Sequence, residues 1–270
     1  MEISNDVGLR DLLVSSEEEK LCSGFKFTEG PVWVAADNCL LFSDIPGNRI
    51  HRWRPGSDLA ETYRAPSGFS NGLTIDSAGN LVACEHAGRR VSRGAYNAAG
   101  EDVARRFEGK SLNSPNDLVI AGNGTIYFTD PNYGIPRPGA PLFGDPNAVQ
   151  ELDHQGVYRV TTDGALSLVV DDFSQPNGLA FNQDESVLYI GDSQDKIIKR
   201  YDVAVDGSLS GGDLFADMSD DDRRGVPDGM KVDEDGRLWS TGAGGVWVID
   251  ASGERLGVFE MAEHAANLAF

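Results

Sequence analysis

The sequence is poor in cysteine, in positive charge and in long apolar runs. Cys22, Cys39 and Cys84 are the three cysteines of 270 residues. That number is odd and too small for a disulfide framework, so they read as small buried hydrophobes. Lys and Arg total 23 against 43 Asp and Glu, a formal charge of −20. A surface of that sign repels phosphate backbones and anionic lipid heads, which excludes nucleic acid and membrane surfaces as expected partners and favours cations. No apolar run approaches the roughly 20 residues of a spanning helix. Residues 1–20, read as an N-terminal extension, are polar and acidic, without the basic start and apolar middle of a secretory signal. The expectation is a cytoplasmic protein, with a clipped exported form as the alternative. Ser23, Ser43 and Ser193 lie in no G-x-S-x-G context, and neither a phosphate-cradling loop nor a dinucleotide fingerprint occurs. Helical periodicity is nearly absent, with Leu9–Glu19 reading as one or two turns at most.

Glycine, by contrast, is abundant: 32 residues, about 12% against a usual ~7%. Much of it sits in a repeat. A polar residue and Gly lead an apolar strand, a D-x-x-G-like turn and a second strand. The leading pairs are Glu29-Gly30, Asn71-Gly72, Asn116-Asp117, Asn177-Gly178, Asp228-Gly229 and Ala266-Asn267, spaced by 42, 45, 61, 51 and 39 residues. Propeller blades of four short antiparallel strands recur at ~40–50 residues. The expected fold is all-β, a six-bladed β-propeller over residues 21–270 as one domain. Its last blade is incomplete, about 20 residues short by comparison with blade four. Lys20–Phe27 is expected to supply the outer strand that closes the ring. The 61-residue interval holds a proline-rich insertion at 132–153, read as a lid-like loop because so many prolines do not fit central strands.

Every repeat pair precedes an innermost strand, so the reading gathers Glu29, Asn71, Asn116, Asn177, Asp228 and Asn267 at one mouth of the channel. Carboxylate and amide oxygens are hard ligands, suited to Ca²⁺, Mg²⁺ or Mn²⁺. The absence of a Cys/His cluster argues against structural zinc. Asn-Gly and Asp-Gly are also the commonest tight-turn pairs. Glu29 is not a turn-former, which favours ligation.

Four motifs carry a family resemblance: F-T-E-G-P-V-W (Phe27–Trp33), L-N-S-P-N-D-L (Leu112–Leu118), Q-P-N-G-L-A-F (Gln175–Phe181) and V-P-D-G-M-K-V-D (Val226–Asp233). With C-E-H (Cys84–His86), F-T-D-P (Phe128–Pro131) and H-Q-G-V-Y (His154–Tyr158), the chain resembles the regucalcin/gluconolactonase family, in its bacterial gluconolactonase-like branch. The resemblance implies a six-bladed propeller, one divalent metal (Ca²⁺ first, with Mg²⁺, Mn²⁺ or Zn²⁺ as alternatives) and hydrolysis of a sugar lactone. It places the metal ligands on Glu29, Asn177 and Asp228 and a contact with substrate or metal on Asn116. Ser114 stands where regucalcin-type members carry Arg, so their substrate preference does not transfer.

Such a metal would polarise the lactone carbonyl. Asp228 is the candidate general base, and His86, which titrates near neutrality, is the alternative. Asn71, Arg89 and Tyr133 join Asn116 as substrate-binding candidates. Asp192 recurs in register with Asp44 and Asp130 and reads first as a turn residue. His51 and His154 read as structural. Two competing functions are an aryl-esterase or phosphotriesterase, for which Tyr133, Ile135, Leu142 and Phe143 would give an apolar pocket, and a non-catalytic metal-binding propeller.

Overall fold

The structure, a computed structural model, describes residues 2–4, 6–13, 18–95 and 98–270. It is an all-β fold of the propeller type. Five antiparallel blades stand among the described residues, where the repeat led us to expect six. Blade one runs through Thr28–Val34, Cys39–Asp44, Arg49–Trp53 and Glu61–Arg64, and blade two through Ser70–Ile75, Leu81–Glu85, Arg90–Gly94 and Glu101–Ala104. Blade three comprises Leu118–Ile120, Ile126–Asp130, Gly156–Val160 and Leu166–Val170. These three lie in one compact unit, Leu21–Pro176. A second unit, drawn from the first 20 residues and Asn177–Leu268, carries blades four and five. Blade four is Pro176–Phe181, Val187–Asp192, Ile197–Val203 and Leu209–Asp217; blade five is Met230–Val232, Leu238–Gly242, Gly245–Ile249 and Arg255–Glu260.

The second strand of a blade is packed on both faces and therefore reads as a continuous apolar run rather than an alternation. Leu81–Glu85, Ile126–Asp130 and Val187–Asp192 are buried at every position. Between blades one and two, Leu41 and Ile50 pack with Leu73, Leu81 and Ala83. Between blades two and three, Val82, Cys84 and Val91 pack with Leu118, Ile126, Phe128 and Tyr158. In the second unit, Tyr189 and Ile198 of blade four pack with Met230, Leu238 and Trp247 of blade five. Cys39 and Cys84 are buried and Cys22 is half-buried, all as free thiols.

Two expectations need correction. Lys20–Phe27, expected to supply the outer strand of the last blade, forms no strand, and Glu2–Ser4 adds a fifth strand to blade five, antiparallel to Arg255–Glu260. Ile3 anchors it, packing with Leu9, Leu12, Leu13, Val248 and Phe259, a set of contacts that 20–27 does not offer. Leu9–Leu12 forms one 3-10 turn; residues 14–17 of the expected helical stretch lie outside the described residues.

The second correction concerns the polar-Gly pairs. They are not turns. Glu29-Gly30, Asn71-Gly72 and Asn177-Gly178 lie inside innermost strands, and the register slips between Glu29 and Val32 and between Ser70 and Leu73. Such bulges re-aim side chains. Glycine is required there by close approach. A Cβ on Gly30 would fall on the Asn71 carbonyl, one on Gly72 would lie 2.8 Å from the Asn116 carbonyl oxygen, and one on Gly178 would fall on the Asp228 carbonyl. The same contact recurs beyond blade five, where Gly229 N–H donates to the Ala266 carbonyl at 2.8 Å, as Gly72 N–H does to Asn116. Because backbone cannot yield as a side-chain tip can, Gly178→Ala is expected to cost about 2–3 kcal/mol, read as a lowered midpoint in thermal or urea unfolding.

Candidate active site

The innermost strands bring polar side chains into the interior. In the first unit, Glu29 is 3%, Asn71 3%, Asn116 4% and His86 1% exposed. Glu29 Oε2 accepts the N–H of Gly30 at 2.8 Å. The Asn71 carbonyl accepts from Ser43 Oγ at 2.8 Å, and the Asn116 carbonyl from Gly72 N–H at 2.8 Å. Glu29, Asn71 and Asn116 are therefore successive members of one row, as the repeat implied.

His86 follows the second strand of blade two and points into this row. Its Nδ1 lies 3.1 Å from the Phe143 carbonyl oxygen, which can only accept. Nδ1 therefore carries the proton, leaving Nε2 as the acceptor, 3.4 Å from Asn71 Nδ2. Burial pushes the imidazole pKa down to about 4, so His86 is neutral at ordinary pH. A group so weakly basic draws a proton from water poorly, and the structure uses His86 to anchor a loop rather than as a base. Asn71, its amide nitrogen turned toward His86, keeps Oδ1 buried without a hydrogen-bond partner.

The loop it anchors is the proline-rich segment 132–153, which lies outside the strands as expected. Gly134 N–H donates to Ser114 Oγ at 2.8 Å, and Ser114 Oγ to the Pro131 carbonyl at 2.6 Å. Phe143 stacks at a tilt on Phe27, centroids 5.5 Å apart. Arg89, a substrate-binding candidate from sequence, is engaged elsewhere. Its Nε donates to the Leu112 carbonyl at 2.6 Å and its guanidinium also reaches the Val149 carbonyl at 3.0 Å and Glu151. It fastens the far end of the loop. Tyr133 is half-buried beneath the Arg137 guanidinium, 5.1 Å from the ring centre. Ile135 is buried in the same segment.

In the second unit, Asn177 and Asp228 are 4% and 8% exposed and stand side by side, since Gly178 abuts the Asp228 carbonyl. Asn177 Nδ2 donates to Ser193 Oγ at 2.9 Å, and that hydroxyl donates to the Pro227 carbonyl at 2.7 Å. This fixes the amide group. Thr241 Oγ1 accepts the N–H of Asp228 at 3.2 Å.

The donors in each unit fit a hard divalent cation in type: a buried carboxylate at Glu29 in one, a buried carboxylate and an oriented amide oxygen at Asp228 and Asn177 in the other. Among the described residues no group of three or more His, Cys, Asp or Glu side chains is arranged to hold a metal.

Asp192 Oδ1 accepts the N–H groups of Gln194 and Asp195, a turn role. His154 Nε2 meets the Tyr158 hydroxyl at 2.9 Å, and His51 stacks on Phe42; both are structural. Ser43, Ser193 and Thr241 hold the site residues; the sequence offers Ser43 and Ser193 only as nucleophiles to be dismissed and gives no sign of Thr241, because an isolated Ser or Thr carries no spacing signal for a supporting role.

The family model of the SMP-30/Gluconolactonase/LRE-like region matches residues 27–270. A gluconolactonase of Zymomonas mobilis is 32% identical over 265 residues, covering 91% of this chain and 72% of that protein. A pentonolactonase of Haloferax volcanii is 29% identical over 251 residues, covering 90% of this chain and 76% of that protein. The solved gluconolactonase of Xanthomonas campestris is 37% identical, covers 91% of this chain and 80% of its own, and superposes with a TM-score of 0.82.

A histidine whose pKa falls on folding binds fewer protons in the native than in the unfolded state between pH 6.5 and about 4. Its contribution is therefore intact above 6.5 and is lost as the pH drops to 4, by about 3 kcal/mol at most. His86→Gln is expected to flatten this stretch of the stability-versus-pH curve, as measured by urea unfolding of both proteins.

Proposed function

Since the chain belongs to the SMP-30/gluconolactonase/LRE-like family and is a lactonase, we propose that it opens a gluconolactone-like sugar lactone to the aldonic acid with one divalent cation, Ca²⁺ first, as cofactor. The observation that carries this reading is the burial of three oxygen-donor side chains, Glu29, Asn177 and Asp228, at equivalent positions of three repeats. Carboxylate and amide oxygens are hard donors of the kind such a cation takes.

Glu29, Asn177 and Asp228 would hold the cation, which when bound supplies polarisation of the ester carbonyl and a lowered pKa for nearby water. The remaining work falls to the chain. Asp228 takes a proton from the water whose oxygen bonds to the lactone carbonyl carbon. As the bond between that carbon and the ring oxygen breaks, the same carboxyl returns the proton to the ring oxygen, which leaves as a hydroxyl. Asn116 orients the ring. The buried Asn71 Oδ1 is an acceptor in want of a donor, and a ring hydroxyl supplies one. Tyr133 lies on the loop over this region, which His86 keeps in place. Phe143 is already paired with Phe27, so the apolar surface an aryl ester would need is taken, which favours the sugar lactone.

On the same reading the fold has a sixth blade whose first strand begins near Asn267. Its support is the Gly229 to Ala266 hydrogen bond, which repeats the contact between neighbouring innermost strands.

The test is acid release from glucono-δ-lactone in a pH-stat, with the protein stripped by chelator and then given Ca²⁺, Mg²⁺, Mn²⁺ or Zn²⁺ separately. Hydrolysis above the spontaneous rate is expected to vanish on stripping and return with Ca²⁺. Asp228→Ala is expected to lose at least about 100-fold in kcat. An undiminished rate in the stripped protein, or in Asp228→Ala, overturns the reading.

A further inference from the structure

Asp44 and Asp130 end the second strands of blades one and three, and their carboxylates act alike. Asp44 Oδ1 accepts the backbone N–H groups of Lys26 and Phe27, each at 3.2 Å. Asp130 Oδ2 accepts the N–H of Asn113 at 2.7 Å, and the Ser114 N–H also bonds to this carboxylate. In both blades the two amides lie three and two residues before an interior side chain, Glu29 in blade one and Asn116 in blade three. Both carboxylates are buried, Asp44 at 5% and Asp130 at 0% exposure.

Asp192, in register with them, accepts the N–H groups of Gln194 and Asp195, which follow it. The interior residues of the other blades are held by hydroxyls instead: Ser43 at the Asn71 carbonyl, Ser193 at the Asn177 amide, Thr241 at the Asp228 N–H.

The physical effect of the Asp44 and Asp130 carboxylates follows from what they bind. Two consecutive N–H groups fastened to one buried carboxylate fix two peptide planes, and with them the direction in which the chain enters the innermost strand. Without the acceptor the amides of Asn113 and Ser114 would be buried and unpaired, those of Lys26 and Phe27 would lose their common anchor, and the planes would turn to find other partners. Displacements on the scale of 1 Å at a reacting group are enough to cost orders of magnitude in rate.

We propose that Asp44 and Asp130 are positioning residues that aim Glu29 and Asn116 through paired backbone amides, without touching substrate. The proposal rests on the lactonase reading for its kinetic part. Asp44 acts on a residue assigned to the cation and Asp130 on one assigned to the sugar, so their variants differ in kind. With full-length protein, Asp44→Ala is expected to weaken Ca²⁺ binding about 10- to 100-fold by calorimetry, and Asp130→Ala to leave Ca²⁺ binding intact while raising KM about 10-fold. Asp44→Asn and Asp130→Asn, which keep an acceptor oxygen, are expected to restore both to within about threefold of wild type. Hydrogen exchange at 26–27 and 113–114 is expected to quicken in the Ala variants alone. If an Ala variant does not fold, the Glu variant takes its place, since it keeps charge and acceptor but moves the amides; wild-type Ca²⁺ affinity and KM in it overturn the proposal. So do folded Ala variants with wild-type exchange, Ca²⁺ affinity and KM, and so do Asn variants as impaired as Ala. If the wild type hydrolyses no lactone and binds no Ca²⁺, the lactonase reading fails by itself, and the exchange data still decide whether the carboxylates set the amides.

Discussion

Neighbouring innermost strands touch backbone to backbone, and that contact governs the site. Gly30 abuts the Asn71 carbonyl, Gly72 the Asn116 carbonyl, Gly178 the Asp228 carbonyl and Gly229 the segment at Asn267. At such separations no side chain fits, so glycine is fixed by steric exclusion, and the residue before it is placed in the interior whether or not it is polar. The polar residue and the glycine are thus one device. The glycine permits the approach, and the approach buries Glu29, Asn71, Asn177 and Asp228.

Burial of that many polar groups is costly unless each is satisfied. The chain meets the cost locally. Ser43, Ser193 and Thr241 hold backbone or amide groups, and Asp44 and Asp130 gather pairs of N–H groups. Asp130 shows what complete burial does, its carboxyl pushed up to about 7 by desolvation although the amides of Asn113 and Ser114 and the charge of Arg89 pull the other way. What these supports do not use is the Oδ1 of Asn71, buried without a hydrogen-bond partner.

The loop at 132–153 shows how the same residue types serve two ends. The sequence reading makes His86 the alternative general base and Arg89 a substrate-binding group. The structure spends their donors on carbonyls of the loop, Phe143 and Val149, while Ser114 Oγ donates to the Pro131 carbonyl and accepts the N–H of Gly134. A hydrogen-bonding side chain beside a loop rich in proline, which donates no N–H, meets a surplus of unpaired carbonyls. That surplus decides the role of Arg89 and the tautomer of His86.

Much was legible from the sequence. The spacing of the polar-Gly pairs, the alternation and apolar runs between them and the scarcity of helical periodicity determine blades of four short strands, because strand pattern and hairpin turns are local properties. The four motifs determine the family. Tertiary structure alone decided that Glu29-Gly30, Asn71-Gly72 and Asn177-Gly178 lie within strands, that Glu2–Ser4 adds a fifth strand to blade five while Lys20–Phe27 forms none, that Arg89 is a fastener, and that Asp44 and Asp130 each gather two backbone amides. Each of these depends on contacts between residues tens of positions apart, and in Glu2–Ser4 pairing with Arg255–Glu260 on the two ends of the chain. Sequence spacing encodes the period of a strand but not which distant backbone lies against it.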